Sequence, residues 1–443
     1  MISTTPLKRL FYTLLVTTAM FTGCSYDESF STDPSLSLEF SVDTLKLDTF
    51  FSTVPSSTKS FWVYNRRGDG IRIASVRLER GNQTGFRVNV DGYFLDPVVT
   101  DVEVHREDSV RVFVELTSHR NNDPDPQLVE DNLIFTLQNG TVHTIPVTAY
   151  SWDAQLISSL VVERDTVIES STPIVFTGDS IRIAAGATLT VRNTTLYFHG
   201  NTGISVQGRL VAENSLFRGD RLDYMFSYLP YDRVSGQWAG IHLKEGAECE
   251  MTDSEIHSTF DGIVVDSASI SLQRCVIHNN RGYGLKAINS VVELSYCQLT
   301  NTLRDCLSLE GSLAVVDHCT LAQFYPFSAN RGAALRFKPS KYTLLMKFTN
   351  TLVTGYEEDV LMGAVRDSTV DYRFQNCLLR TPVVTDSIAF TDIIWETSKD
   401  SIQGKHHFRL VDEEKQNYDF RLDTASTALK RGIGCLWPDD QTP

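Results

Sequence analysis

Between Ala239 and Thr320 the apolar positions recur with a period far longer than that of a helix or a strand. Gly240-Ile241-His242-Leu243 returns as Gly262-Ile263-Val264-Val265, Gly284-Leu285-Lys286-Ala287 and Cys306-Leu307-Ser308-Leu309, each copy 22 residues after the last. A second line runs beside it: Ser254-Glu255-Ile256, Cys275-Val276-Ile277, Cys297-Gln298-Leu299 and Cys319-Thr320-Leu321. Within each line buried and outward positions alternate, as in a short strand with one apolar face. A fixed period in the twenties marks stacked supersecondary units. One such unit cannot bury its apolar side alone. Stacking pairs each strand in parallel with its copies above and below, at about 4.8 Å per coil. The pattern predicts three short strands per coil over residues 173–434.

The coils also share a turn. Asn193, Asn214, Asp253, Arg274, Tyr296, His318, Asn350 and Asn376 stand at its corner, each followed by a small side chain: Thr194, Ser215, Ser254, Cys275, Cys297, Cys319, Thr351 and Cys377. Asparagine suits the corner because it tolerates left-handed backbone and can bond to its own copy one coil away. Cys275, Cys297 and Cys319 then form an inward ladder. They are read as buried thiols, small hydrophobes in effect, with disulfides or a metal as alternatives. These features resemble the right-handed parallel β-helix family. Gly186-Ala187-Thr188-Leu189-Thr190-Val191 looks like the first coils of its bacterial members. Asn417-Tyr418-Asp419-Phe420-Arg421-Leu422, leading to Gly432-Ile433-Gly434, looks like their closing segment.

Residues 36–150 read differently. Leu36, Leu38 and Phe40 alternate with polar residues, as do Val110, Val112, Val114 and Leu116, and turn signals such as Asn139-Gly140 separate the runs. Six or seven short strands and no helical stretch predict a β-sandwich. It resembles the Ig-like modules that precede larger domains in bacterial surface proteins, which implies a spacer. Residues 151–172 are expected to be a connector and 435–443 a tail. The whole chain is thus expected to be all-β: an Ig-like sandwich followed by a single-stranded right-handed parallel β-helix.

The N-terminus reads as a targeting segment. Lys8-Arg9 precedes an apolar run, Leu10 to Phe21, too short for a bilayer of roughly 30 Å. Phe21-Thr22-Gly23-Cys24 resembles the lipobox of bacterial lipoproteins. That implies a signal peptide over 1–23, a lipid on Cys24 and a tether over 24–35, against the alternative of an ordinary secretory peptide. Ser25-Tyr26-Asp27-Glu28-Ser29 looks like the acidic export signal of Bacteroidota surface lipoproteins. The expected location is the outer membrane, on its periplasmic face or at the cell surface. The net charge of −15 argues against nucleic acid, and against an anionic membrane except through the lipid on Cys24.

Function is sought where the period breaks. The step from Asn214 to Asp253 is 39 residues and from His318 to Asn350 is 32. Both excesses leave the same corner, so two loops are expected on one side, four coils or about 19 Å apart. The first (217–237) carries Tyr224, Phe226, Tyr228, Tyr231 and Arg233. The second (322–331) carries Phe324, Tyr325 and Arg331. Between them His257, Asp261, His278, Asn280, Arg281 and Arg304 would form a polar floor. Aromatic walls over such a floor suit a polysaccharide; the alternative is that the aromatics fold back over the solenoid.

Inverting glycoside hydrolysis needs two carboxylates about 6.5–9.5 Å apart. Thr259-Phe260-Asp261-Gly262 and Arg304-Asp305-Cys306 match the catalytic lines of polygalacturonase-like hydrolases only in part, and lie two coils apart rather than one. The reading is therefore a non-catalytic surface for a polysaccharide, with no metal or cofactor. A polysaccharide lyase or related carbohydrate-active enzyme, using Arg281 or Arg304, and a structural or protein-binding surface module are the alternatives.

Overall fold

The computed structural model describes residues 29–358, 360–397 and 404–436. Cys24 with its lipobox, the start of the tether and all but the first two residues of the tail lie outside them. The chain divides into two units, residues up to about 149 and from about 150 onward, with two short segments of the first stretch, 48–52 and 120–127, grouped with the second.

The N-terminal unit is built on two five-stranded sheets. In one, Ser109–Leu116 pairs antiparallel with Lys59–Tyr64 on one side and Phe86–Val90 on the other. In the second, Ile71–Leu78 pairs antiparallel with Val98–Val104 and Gln127–Leu137. Val110, Val112, Val114 and Leu116 all point inward, as their alternation requires. Phe61 and Phe135 meet edge to face in the core with ring centroids 6.3 Å apart, a usual separation for such pairs.

The second unit carries three parallel sheets of eleven, nine and ten strands. The chain visits the three in rotation, one strand in each per coil, which is the parallel β-helix. Glycine opens the strands of the nine-stranded sheet for a steric reason. A Cβ added to Gly240, Gly262 or Gly284 would lie 1.6, 2.2 or 2.4 Å from a backbone oxygen of the next coil.

The corner residues take the predicted backbone. Asn193, Asn214, Asp253, Arg274, Tyr296, His318, Asn350 and Asn376 all have φ between 46° and 55°. For a residue with a Cβ this costs roughly 1–2 kcal/mol. Neighbouring coils offset the cost. Asn214 and Asn376 donate their amides to Asn193 (3.1 Å) and Asn350 (2.8 Å). Arg274 is held by Asp253 and Tyr296 stacks on His318 with ring centroids 4.8 Å apart. Inside, Phe198 stacks between Phe176 and Trp238. Cys275, Cys297 and Cys319 are buried thiols without a disulfide. Their sulfurs donate to backbone carbonyls, Cys297 to Leu272 at 3.4 Å for example.

Both ends of the solenoid differ from the expectation. Gln155–Ile157, Val161–Val162 and Thr166–Ile168 pair in parallel with Ile174–Phe176, Ile181–Ile183 and Thr188–Arg192. The stretch expected to be a connector is therefore the first coil. Its strands are two or three residues long, too short to show a period. At the other end the last parallel pairing joins Leu378–Arg380 to Ile394–Glu396. Phe408–Asp412 and Asn417–Leu422, expected inside the helix, form an antiparallel hairpin. It packs on the outside, where Phe408, Phe420 and Leu422 cluster with Phe324, Leu352 and Leu378. Cys435, expected in the tail, is buried, its amide donating to Thr320 Oγ1 at 2.9 Å.

The corner ladder gives a direct test. Asn376→Ala should lower stability by about 1–2 kcal/mol, losing both conformational tolerance and the Asn350 bond, whereas Asn376→Gly should cost clearly less. Denaturant midpoints of the two variants measure the difference.

Candidate functional site

The outward face of the eleven-stranded sheet supplies the floor. In parallel register Thr195, Leu216, Glu255, Val276 and Gln298 follow one another from coil to coil. Two residues further along each strand, His257, His278 and Thr300 form a second outward column. The residues between the columns, Phe217, Ile256, Ile277 and Leu299, turn into the core, because side chains alternate along a strand. The first insertion, through Asp232 and Arg233, and the C-terminal hairpin, through residues 416–421, bound a cleft of about 620 Å³ over this floor. Arg233 ties the two walls, donating to Lys415 O at 2.9 Å and Asn417 Oδ1 at 3.1 Å.

Most charges in the cleft are paired. Arg218 meets Asp232, and Arg421 holds Asp419. His278 Nε2 lies 2.8 Å from Glu255 Oε1. The His257 ring stacks on His278 at 5.0 Å, with Nδ1 2.8 Å from Ser258 Oγ. Burial raises the Glu255 carboxyl, but the hydrogen bond and charge of His278, with His257 and Arg218, outweigh it and bring the pKa down to about 2. Burial, and then the neighbouring His278, hold His257 well below its ordinary value, so its imidazole is neutral at pH 7. Hydrogen-bonding capacity remains unused. Thr300 Oγ1, Asn301 Oδ1, Gln416 Oε1 and Tyr418 OH, all on residues lining the cleft, are buried without a partner. Each such group costs about 1–3 kcal/mol while unsatisfied.

Of the residues expected to form a site, Arg233, His257 and His278 line the cleft. Asn280 is buried, accepting from Thr259 Oγ1 at 2.6 Å. Asp261 accepts from the Tyr283 amide at 2.8 Å. Arg281 packs its stem against Gly236. The Arg304 guanidinium lies 5.3 Å from the Tyr283 ring centroid. Asp305 is committed to Arg336 and the Ala333 amide. Both half-matched hydrolase lines thus serve the backbone and the turns.

The two insertions do not stand apart as walls of an open groove. Tyr325, in the second, is buried with its hydroxyl 2.9 Å from Ser235 Oγ in the first. Phe324 is buried under the hairpin against Phe408 and Phe420. Arg331 lies over the Tyr356 ring and Tyr231 under Arg221. Tyr224, Phe226 and Tyr228 are exposed on a separate hairpin, the latter two stacked at 5.8 Å, and none lines the cleft. The inserted aromatics of the second loop therefore cover the solenoid, because an unpaired apolar flank is best buried by the nearest large side chains.

Sequence reasoning puts Arg218 in the first insertion without making it a site residue, and misses Glu255, Gln298, Thr300 and the wall at 416–421. Glu255 and Gln298 were within reach, since both occupy the outward slot that follows the small turn residue. The wall was not, because nothing in its text says which coil it folds back upon.

Comparison with known proteins agrees on the fold. Residues 160–325 match the family model described as "Right handed beta helix region". SHC SH2 domain-binding protein 1 of Mus musculus is 32% identical over 82 residues, 17% of this chain, and the chain spans 12% of that protein's length. Among solved structures, a family 123 glycoside hydrolase from Clostridium perfringens overlaps 27% of this chain and 26% of its own at 7% identity and a TM-score of 0.19. The E. coli chaperone DraB overlaps 26% of this chain and 54% of its own at 13% identity and a TM-score of 0.18. The CsuC–CsuE chaperone–tip adhesion subunit complex of Acinetobacter baumannii overlaps 28% and 55% at 13% identity and a TM-score of 0.17. At such scores these three likenesses say nothing about function.

The Glu255 interaction predicts an acid limb. Its folded pKa, about 2, lies below the ordinary 4.5, so its contribution to stability is full above pH 4.5 and is lost as pH falls towards 2. His257 acts in the same direction, because a histidine kept neutral in the fold disfavours it increasingly below pH 6.5. Thermal midpoints should fall as pH drops from 7 to 3, and Glu255→Gln should flatten the part of that fall below pH 4.5.

Proposed function

We propose that the protein is a cell-envelope lipoprotein, anchored through Cys24, whose β-helix presents a non-catalytic binding cleft for a polysaccharide. The observation that carries this reading is the make-up of the cleft between the first insertion and the C-terminal hairpin. Its floor offers Glu255, His278, Gln298 and Thr300 on successive coils, and its wall offers the half-buried Tyr418 ring. Closely spaced hydrogen-bonding groups beside an aromatic face suit sugar rings, whose hydroxyls bond at the edge and whose faces are apolar. The volume of about 620 Å³ lies within the usual range for a ligand site.

The same geometry speaks against turnover. An inverting pair needs one carboxylic acid that keeps its proton near neutral pH, and Glu255, at about 2, has lost it. Asp232 and Asp419 are engaged by Arg218 and Arg421. The arginines proposed for lyase chemistry, Arg281 and Arg304, are not among the residues that line the cleft.

A panel of neutral and acidic polysaccharides in affinity gels, read together with unsaturated-product absorbance and reducing-end assays, tests the reading. Retardation by at least one glycan, without product, is expected. Tyr418→Ala should weaken binding roughly tenfold. Thr300→Val should weaken it severalfold without loss of stability, since Oγ1 makes no protein bond. Product formation would favour an enzyme, and no retardation on any glycan would sink the reading in favour of a protein partner. Anchoring is checked separately: palmitate incorporation in a bacterial host should vanish in Cys24→Ser.

A further inference from the structure

A second hollow, of about 420 Å³, lies on the same outward face and shares Leu216 and Glu255 with the cleft. The rest of its lining comes from earlier coils, with Thr172, Asn193, Thr195 and Asn214 among them, and from Asp253 at the corner of the Glu255 coil. Strand register makes the two hollows one track. Thr195, Leu216, Glu255, Val276 and Gln298 are hydrogen-bonded neighbours in succession, four strand steps covering about 19 Å. A single sugar or a disaccharide fills one hollow. Only a chain lying across the strands, along the solenoid axis, can fill both.

The charge of the second hollow restricts that chain further. Its lining holds two carboxylates, Asp253 and Glu255, and neither lysine, arginine nor histidine. Glu255 is ionised throughout the physiological range, and the hydrogen bond from Arg274 holds the Asp253 carboxyl low, so that the nearby cations, Arg274 and His278, are already engaged by these two carboxylates. A uronate placed there would meet like charge without a free cation.

Resting on the glycan reading above, we infer that the ligand is a linear, uncharged polysaccharide recognised internally, along its length, by both hollows together. The hollow around Thr195 and Asn214 is thus a second subsite, and the shared Glu255 is the point where the chain passes from one to the other.

Titration calorimetry with gluco-, xylo- and manno-oligosaccharides of two to six residues, and with oligogalacturonates of equal length, tests the inference on the full chain. For a neutral series that binds, the hexasaccharide should bind at least about tenfold more tightly than the disaccharide. Thr195→Trp, which places a bulky residue of high strand propensity in the second hollow, should abolish that gain. Its thermal midpoint shows whether the variant is folded; if it is not, Thr195→Arg is read instead. Equal affinity for di- and hexasaccharide would overturn the second subsite while leaving the cleft as a glycan site. Tighter binding of oligogalacturonates would overturn the uncharged ligand. Failure of every oligosaccharide and polymer to bind would remove the glycan reading itself, and this inference with it.

Discussion

In-register parallel pairing between coils is the constraint on which the solenoid depends. It makes every residue the neighbour of its own equivalents above and below, so that one choice of residue is repeated as a column. Inward columns become apolar, as with Leu196, Phe217, Ile256, Ile277 and Leu299, because anything else would leave a hole or a buried polar group at each level. Corner columns become left-handed, and the strain of each is relieved by the copy beside it. This is why the corner accepts Arg274, Tyr296 and His318, residues otherwise ill suited to positive φ. The ion pair with Asp253 and the Tyr296–His318 stack replace the amide ladder that asparagines make elsewhere.

The same constraint decides where variation can go. An insertion that altered the length of a strand would break pairing with both neighbours. Both insertions instead leave from the corner between the eleven- and nine-stranded sheets, and register resumes beyond them without a slip: Gly203 still faces Gly240, and Leu307 still faces Leu335. Freed from register, these loops are shaped by burial. The second drives Phe324 and Tyr325 against the flank, and the first is held by Tyr325 through Ser235 and by the C-terminal hairpin through Arg233. The cleft results from that packing, not from the loops standing open.

Outward columns are free of the packing demand, so they can carry chemistry. Register brings His257 onto His278 and sets Glu255 in the adjoining column, two residues back along the strand from His257. The resulting stack fixes protonation: an ionised carboxylate, a partner imidazole and a neutral buried imidazole. A site with its charges paired internally is suited to presenting hydrogen bonds and poorly suited to delivering a proton. That balance is the physical ground of the binding role proposed above.

The sequence alone determined the class of each unit, the coil length, the corner residues, the inward cysteines and the positions of both insertions. All of these follow from local alternation or from a period, which are properties of neighbours along the chain. It also placed His257 near His278, since their separation is within one residue of the repeat. It did not determine that residues 155–168 form a coil, that Asp261, Asn280 and Arg304 are taken up by local bonds, or that residues 416–421 return to wall a cleft over Glu255 and Thr300. The last of these outcomes depends on contacts between segments more than a hundred residues apart, such as Gln298 with Phe420, and on which surface offers the larger apolar area to bury. Only the tertiary structure decides that competition, because periodicity records how a coil meets its copies and carries no record of what meets the coil from outside.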